Sequence, residues 1–544
     1  MPTATETASS TSSNARGPRL DHEVLIVGAG FSGIGVGKKL RDAGIEDFLI
    51  VEQGSEFGGT WYWNRYPGLA VDIPSFSYQF SFAKRSDWTR SYAPGDELLG
   101  YAKDCAERFG LRSKARLGTR VESAAFDEAE CVWRVGTDAG ETLTVRHLID
   151  GSGVLTVPKE PDIPGVAEFA GEKVHTARWD ESIELAGKRV AVIGTGASAV
   201  QLIPEVAPHV AHLTVFQRTP IWCLPKYDFE LPARLRWAMA RVPGVMGATR
   251  LLSQAFVELT FPLAAHYDRP LHLASRFEKQ AREWIREQVD DPEIAAKLTP
   301  EYAIGCKRPS FHNSYLATFN RENVALETNP IERITPRGIV TAGGAEHEVD
   351  VLVLATGFKV FDPGNFPKYP VSGRGGADLE RFWHEHRFQA YEGVSVPGFP
   401  NYWLVMGPYG YNGSSYFNLV ETQSNHIVRA LGYARERGAA AIEVSREAND
   451  RYFAEMMRRR KRQIFWQESC GLANSYYFDD HGDVPLRPMP TIETMWRARR
   501  FPLDDYRLEW GGGREGAARQ AGGSSARPLA SQASMPPASS ETCS

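Results

Sequence analysis

From residue 22 the chain runs His22-Glu23-Val24-Leu25-Ile26-Val27, apolar without alternation once it reaches Val24, which is how a strand reads when both faces of its sheet are covered. Gly28-Ala29-Gly30-Phe31-Ser32-Gly33 follows at once, and a helical pattern then extends to Ala43, with Gly44 where a helix stop is expected. The next apolar run, Phe48-Leu49-Ile50-Val51, ends on Glu52. Strand, glycine turn, helix and strand make one β-α-β unit. The pattern repeats from Arg189-Val190-Ala191-Val192-Ile193 through Gly194-Thr195-Gly196-Ala197-Ser198-Ala199 to the strand Leu213-Thr214-Val215-Phe216. Units this far apart are not halves of one small domain; they predict two separate nucleotide sites. The expected fold class is α/β, with two Rossmann-like dinucleotide-binding domains.

Between Asp228 and Pro300, long helical patterns at 231–240, 253–264 and 276–289 replace strand alternation and predict an inserted helical subdomain. Asp350-Val351-Leu352-Val353-Leu354-Ala355-Thr356-Gly357 then returns to a buried strand. The expected boundaries are 20–158 for the first domain, 159–227 for the second and 228–300 for the insertion. The chain is then expected to rejoin the second domain over 301–385 and the first over 386–510. The ends, 1–19 and 511–544, are too poor in apolar residues to bury a core and predict disordered tails. The most apolar long segment, 251–265, is shorter than the ~20 residues of a spanning helix and carries Glu258 near its middle. It predicts a core helix, with weak contact at a membrane surface as the second reading.

At 544 residues the chain has room for two or three domains with sizeable cores. A formal net charge of −5 and a pI near 6.3 offer no global basic field for a phosphate backbone, so nucleic acid is not an expected partner. Cys105, Cys131, Cys223, Cys306, Cys470 and Cys543 show no C-x-x-C pair and no zinc-ligand spacing. Reduced thiols, no metal site and a cytoplasmic protein are expected. The N-terminal stretch lacks the apolar core of a signal peptide.

The glycine turns carry the first chemistry. In the first unit Gly28 permits the tight turn, Gly30 lets the backbone approach a pyrophosphate, and Gly33 lets helix and strand pack closely. Glu52 stands where a carboxylate accepts hydrogen bonds from ribose hydroxyls. In the second unit Gly194 and Gly196 keep their places and Ala199 takes the third. Gly28 to Glu52 is 24 positions, and Gly194 to Arg218 is also 24. A 2′-phosphate is repelled by a carboxylate and paired by a guanidinium, so the first site is expected to take FAD and the second NADPH.

Next comes a segment of glycine turns and aromatics: Gly58-Gly59-Thr60-Trp61, Tyr66-Pro67-Gly68 and Asp72. From the residues alone it is either a loop packed on the sheet, with Asp72 as a turn acceptor, or a flavin-wrapping loop that places a carboxylate beside the ring. This segment is similar to the longer fingerprint of type I Baeyer–Villiger monooxygenases, and Phe169-x-Gly171-x-x-x-His175-x-x-x-Trp179-Asp180 resembles the shorter one. The resemblance spans roughly 20–510. It implies that Cys306-Lys307-Arg308-Pro309 carries the active-site arginine, with Arg308 over the flavin, Asp72 as its carboxylate partner and Lys307 turned toward the 2′-phosphate beside Arg218. Gly59, Thr60 and Trp61 join the cofactor-binding set, and His175 is expected to hold linker and domain together rather than to act as a base.

The chemistry so implied uses NADPH to reduce FAD and a flavin C4a-peroxide to insert one oxygen atom from O2 next to the carbonyl of a small-molecule ketone, giving an ester or lactone. Two alternatives stand beside it: an N- or S-oxygenating flavin monooxygenase, and a flavin redox-sensing protein that makes no oxygenated product. A flavin disulfide reductase is disfavoured by the missing C-x-x-C pair. Two places depart from the family pattern. Ser475-Tyr476-Tyr477 stands where many relatives have Trp after the Ser, and Asp150-Gly151-Ser152-Gly153 replaces the usual Ala-Thr-Gly. Tyr409, Tyr411, Tyr416 and Phe417 are read either as pocket lining or as a packed core strip.

Overall fold

The computed structural model describes residues 18–511 apart from 272, 363 and 467. The two expected tails lie outside these residues except for 18, 19 and 511.

The continuous apolar runs become the central strands of two sheets. In the first sheet the order is Val371–Ser372, Val121–Asp127, Val132–Thr137, Thr142–Asp150, His22–Val27, Phe48–Glu52 and Ala115–Leu117, with Tyr402–Leu404 also paired to Thr142–Asp150. His22–Val27 is parallel to both of its neighbours, and Val24 to Val27 are all buried, as a run without alternation requires. The second sheet is parallel throughout, in the order Val324–Glu327, His212–Phe216, Arg189–Ile193, Val351–Leu354 and Glu172–His175. Helices Phe31–Asp42 and Ala197–Val206 open directly after the two glycine turns. Each turn thus sits at the carboxyl ends of its strands, where open α/β sheets bind ligands.

Helices Ala233–Arg241, Val245–Leu271, Leu273–Gln288 and Pro292–Leu298 fill the expected helical insertion. Two expectations are corrected. The chain rejoins the first unit well before residue 386: Val371–Ser372 pairs with Val121–Asp127, and Val360, Phe366, Tyr369 and Trp383 pack in the core of the first sheet. The 251–265 segment is helical but, over 251–260, is core on one face only: Leu251, Leu252, Phe256 and Leu259 are exposed, whereas Val257 is buried in the core. Among the described residues no helix is long and apolar enough to cross a membrane.

Candidate active site

A cleft of about 1450 Å³ is lined by both glycine turns, by Glu52 and Arg218, and by Asp72, Lys307 and Arg308. In the first turn the need for glycine is steric: a Cβ on Gly33 would stand 2.0 Å from the Gly28 carbonyl oxygen. Gly30 and Gly59 meet backbone to backbone, so the second loop is seated on the first turn. Thr60 and Trp61 begin the short helix Thr60–Trp63, and Trp61 is buried edge-on to Tyr78 at 5.8 Å. Glu52 is buried and accepts from two main-chain amides, Ala29 N and Gly54 N, both at 2.7 Å. Its orientation is therefore set within its own unit.

The second turn is built differently. A Cβ on Gly196 would meet no protein atom within 4 Å, so glycine there keeps open a space that the protein does not itself fill. Ala199 is fully buried against the sheet, its methyl tolerated where Gly33 has no room. Arg218 is exposed on the rim. The Asn474 amide, with its carbonyl turned toward Arg218, accepts from Nε at 3.2 Å. Lys307 stands opposite, its amine held down to about 8 by burial and then by the charge of Arg218. Two cations facing one space suit a dianionic phosphate, which would relieve that repulsion.

Asp72 and Arg308 come from different domains and meet. Arg308 Nε donates to Asp72 Oδ2 at 2.9 Å, and Nη2 lies 2.8 Å from the same oxygen. Burial works against the guanidinium charge, but the Asp72 carboxylate beside it holds it well above its ordinary range. The loop bearing Asp72 is placed by contacts to the second unit. Tyr66 Oη donates to Gln201 Oε1 at 2.9 Å, and Gln201 Nε2 donates to the Ala70 carbonyl at 2.8 Å. Gly68, at φ +80°, packs so close that a Cβ would lie 2.6 Å from the Gln201 carbonyl. This is the physical content of the Tyr-Pro-Gly segment: it lays a loop of the first domain on a helix of the second. On the other side, Ser310–Phe311 pairs in parallel with Cys223–Leu224, and Trp222 Nε1 donates to the Tyr302 carbonyl at 3.0 Å.

The expectation that all the cysteines are reduced is corrected. Cys306 and Cys470 form a disulfide across 164 residues, tying the Lys307-Arg308 loop to the segment that carries Asn474, Tyr476 and Tyr477. No spacing rule announces such a pair. Cys105, Cys131 and Cys223 are free and buried, and Cys543 lies outside the described residues. Sequence reasoning also missed Gln201, Asn474 and Lys368. Lys368 lines the cleft, donates to the Ser152 carbonyl at 3.2 Å, and is pulled down to about 8 by burial against the opposing charges of Asp150 and Glu52. A lysine chosen from many has no sequence signal. Asp150, the departure at the first junction, is buried and accepts from Ser152 N at 2.9 Å and Tyr402 Oη at 3.2 Å.

His175 lies behind the cleft wall. Its Nδ1 accepts from Ala177 N at 3.0 Å, so Nε2 carries the proton and faces Thr356 Oγ1 at 3.2 Å, and burial lowers its pKa. It joins the linker to the end of the Val351–Leu354 strand. The aromatic strip divides: Tyr409 and Phe417 are core, whereas Tyr411 and Tyr416 line the cleft, with Tyr416 Oη 2.6 Å from Ser32 Oγ.

Two dinucleotide turns opening on one cleft, with an ion pair between them, define a two-nucleotide oxidoreductase. Residues 25–234 match the pyridine nucleotide-disulphide oxidoreductase family. The chain is 37% identical over 496 residues to a Baeyer–Villiger monooxygenase of Pseudomonas aeruginosa, covering 89% of this chain and 91% of that one. It is 34% identical over 482 residues to the phenazine N-monooxygenase PhzNO1 of Lysobacter antibioticus, covering 79% and 86%. Among solved structures, the OTEMO complex with FAD and NADP superposes with a TM-score of 0.80 at 27% identity, covering 91% of this chain and 100% of that one. The chain belongs to the Baeyer–Villiger monooxygenase family.

Proposed function

We propose that this chain binds FAD at the Gly28–Glu52 unit and NADPH at the Gly194–Arg218 unit, and converts a ketone into an ester or lactone. The observation that carries the reading is the Asp72–Arg308 pair, drawn from two domains and set in the cleft that both turns line. In the overall balance NADPH gives two electrons, one atom of O2 enters the product and the other leaves as water. FAD, when bound, supplies the electron transfer and the activation of oxygen.

The residues do the rest. Gly28, Gly30 and Gly33 with the helix behind them cradle a pyrophosphate, and Glu52, fixed by two amides, accepts from ribose hydroxyls. Gly59, Thr60 and Trp61 close the flavin side of the cleft. Gly194, Gly196 and Ala199 form the second cradle, while Arg218 and Lys307 pair the 2′-phosphate that distinguishes NADPH from NADH. Arg308 is the catalytic residue: its fixed positive charge stabilises the negative charge that develops on the ketone oxygen as the carbonyl carbon is attacked. A preorganised donor of this kind contributes about 2.7–4 kcal/mol in comparable oxyanion sites. Asp72 orients the guanidinium through a charge-assisted hydrogen bond.

A second reading, oxygenation at nitrogen or sulfur, is favoured by the likeness to the phenazine N-monooxygenase. One assay decides. Flavin-loaded protein is given a panel of ketones, thioethers and N-heteroarenes, and NADPH consumption is followed together with product mass. Ketone-dependent consumption with one ester or lactone per NADPH is expected; oxygenated product only from the thioether or heteroarene overturns the ketone assignment.

A further inference from the structure

Over its described half the helix Val245–Leu271 buries Val257 in the core beside several hydrogen-bonded polar side chains and leaves larger apolar ones outside. Several of its hydrogen-bonding side chains point inward: Arg250 donates to the Gln79 carbonyl at 3.1 Å, Ser253 Oγ lies 2.5 Å from Ser77 Oγ, and Gln254 Nε2 donates to Ser414 Oγ at 3.1 Å. Glu258 accepts from Gln254 Nε2 at 3.0 Å and from Thr491 Oγ1 at 2.6 Å. The opposite face holds Leu251, Leu252, Phe256 and Leu259, which are 71%, 72%, 43% and 67% exposed. Positions 252, 256 and 259 recur at helical spacing, so they form one stripe. Water does not favour that arrangement.

The stripe continues onto neighbouring elements. Trp237 is exposed on Ala233–Arg241, the helix packed beside it, and shares a face there with Arg234 and Arg241. Thr491 bonds Glu258, and on either side of that bond Ile492 and Leu259 are both exposed, with Trp496 one turn further along Thr491–Arg500. Charge follows the same elements. From 231 to 257 the sequence has neither Asp nor Glu; of its arginines Arg234 and Arg241 are exposed, whereas Arg250 turns inward. Lys461 and Arg462 are exposed in a turn that packs on Val245–Leu271, and Arg499 and Arg500 are exposed at the end of Thr491–Arg500.

We propose that this face lies on an anionic lipid bilayer, with the leucines and aromatics seated among the acyl chains and the arginines and lysines at the headgroups. A second copy of the chain is a poorer occupant, because a two-fold contact would set arginine against arginine. By composition the terminal segments offer little to seat on it: 1–17 and 512–544 contain no aromatic residue, and their large apolar side chains are Met1, Leu529 and Met535. The face also backs the cleft. Gln254 and Glu258 hold Ser414, whose carbonyl accepts from the hydroxyl of Tyr411 on the cleft wall. A ketone dissolved in the bilayer would thus partition next to the site.

The test uses full-length, flavin-loaded protein and vesicles of phosphatidylcholine mixed with phosphatidylglycerol, against vesicles of phosphatidylcholine alone. Wild type is expected to sediment with the mixed vesicles, with tryptophan emission shifted to the blue and binding weakened by salt. A Leu251→Asp, Leu252→Asp, Leu259→Asp variant should keep its flavin and its NADPH consumption but lose vesicle affinity by about a hundredfold. Failure of wild type to bind, binding as tight to the neutral vesicles, or binding unchanged in the triple variant overturns the proposal. So does a wild-type dimer that the triple variant dissociates.

Discussion

The two nucleotide units share one framework and one spacing, yet they fix their selective side chain in opposite ways. Glu52 is buried and gripped by two main-chain amides of its own unit. Arg218 is exposed, and the groups that face it, Lys307 and Asn474, arrive from segments far along the chain. An acidic side chain fixed within its own β-α-β unit is oriented when that unit folds, which suits a cofactor that stays. A site shared among three segments opens when any of them moves, and suits a reactant that must bind and leave. The third glycine tells the same story: Gly33 has no room for a methyl, whereas its counterpart is an alanine.

The largest effect should lie where the units meet. Arg308→Ala is expected to lower the turnover of ketone by about 10²–10³-fold, measured as product formed with NADPH saturating, while flavin content stays constant. An unchanged rate would detach the chemistry from the Asp72–Arg308 pair. Next come the glycines. Gly33→Ala sets a methyl against a carbonyl oxygen and should cut the flavin-loaded fraction by about tenfold or more. Gly196→Ala should leave flavin in place and raise the KM for NADPH by about tenfold, since the methyl meets no protein atom within 4 Å and enters only the space proposed for the pyrophosphate. Equal flavin loss from both would erase the contrast between a self-contained and a shared site.

Arg218→Ala sharpens the contrast on the second side alone. It should raise the KM for NADPH by about tenfold and leave that for NADH nearly unchanged. The smallest effect is one of pH. Lys307 titrates near 8 in the nucleotide-free protein and pairs a phosphate only when protonated. The affinity for NADPH is therefore full below about 8 and falls as pH rises through it, by no more than about tenfold per unit, and binding above that pH takes up a proton. Steady-state KM across the alkaline range gives the profile, and Lys307→Gln should flatten it.

The sequence by itself determined both β-α-β units, because unbroken apolar strands and glycine turns are local patterns and each forms where its residues stand. It also determined the opposed charges of Glu52 and Arg218, since equal spacing along equal elements puts them at equivalent strand ends. The ion pair of Asp72 with Arg308 was legible only through the family likeness, there being nothing local to join two residues 236 positions apart. The structure supplied the reason, in the seat of Tyr66 and Gly68 on Gln201. Only the tertiary structure decided that Cys306 meets Cys470, that Asn474 reaches Arg218, and that Lys368 turns into the cleft, whereas Lys307 beside Arg218 was legible through the family likeness. The same holds for the 251–265 helix: composition reported an apolar segment, and Leu251, Leu252 and Leu259 face outward while Arg250 and Gln254 found partners within. Long-range contacts of this kind have no periodicity to read, and arise from which faces are left after the sheets have packed.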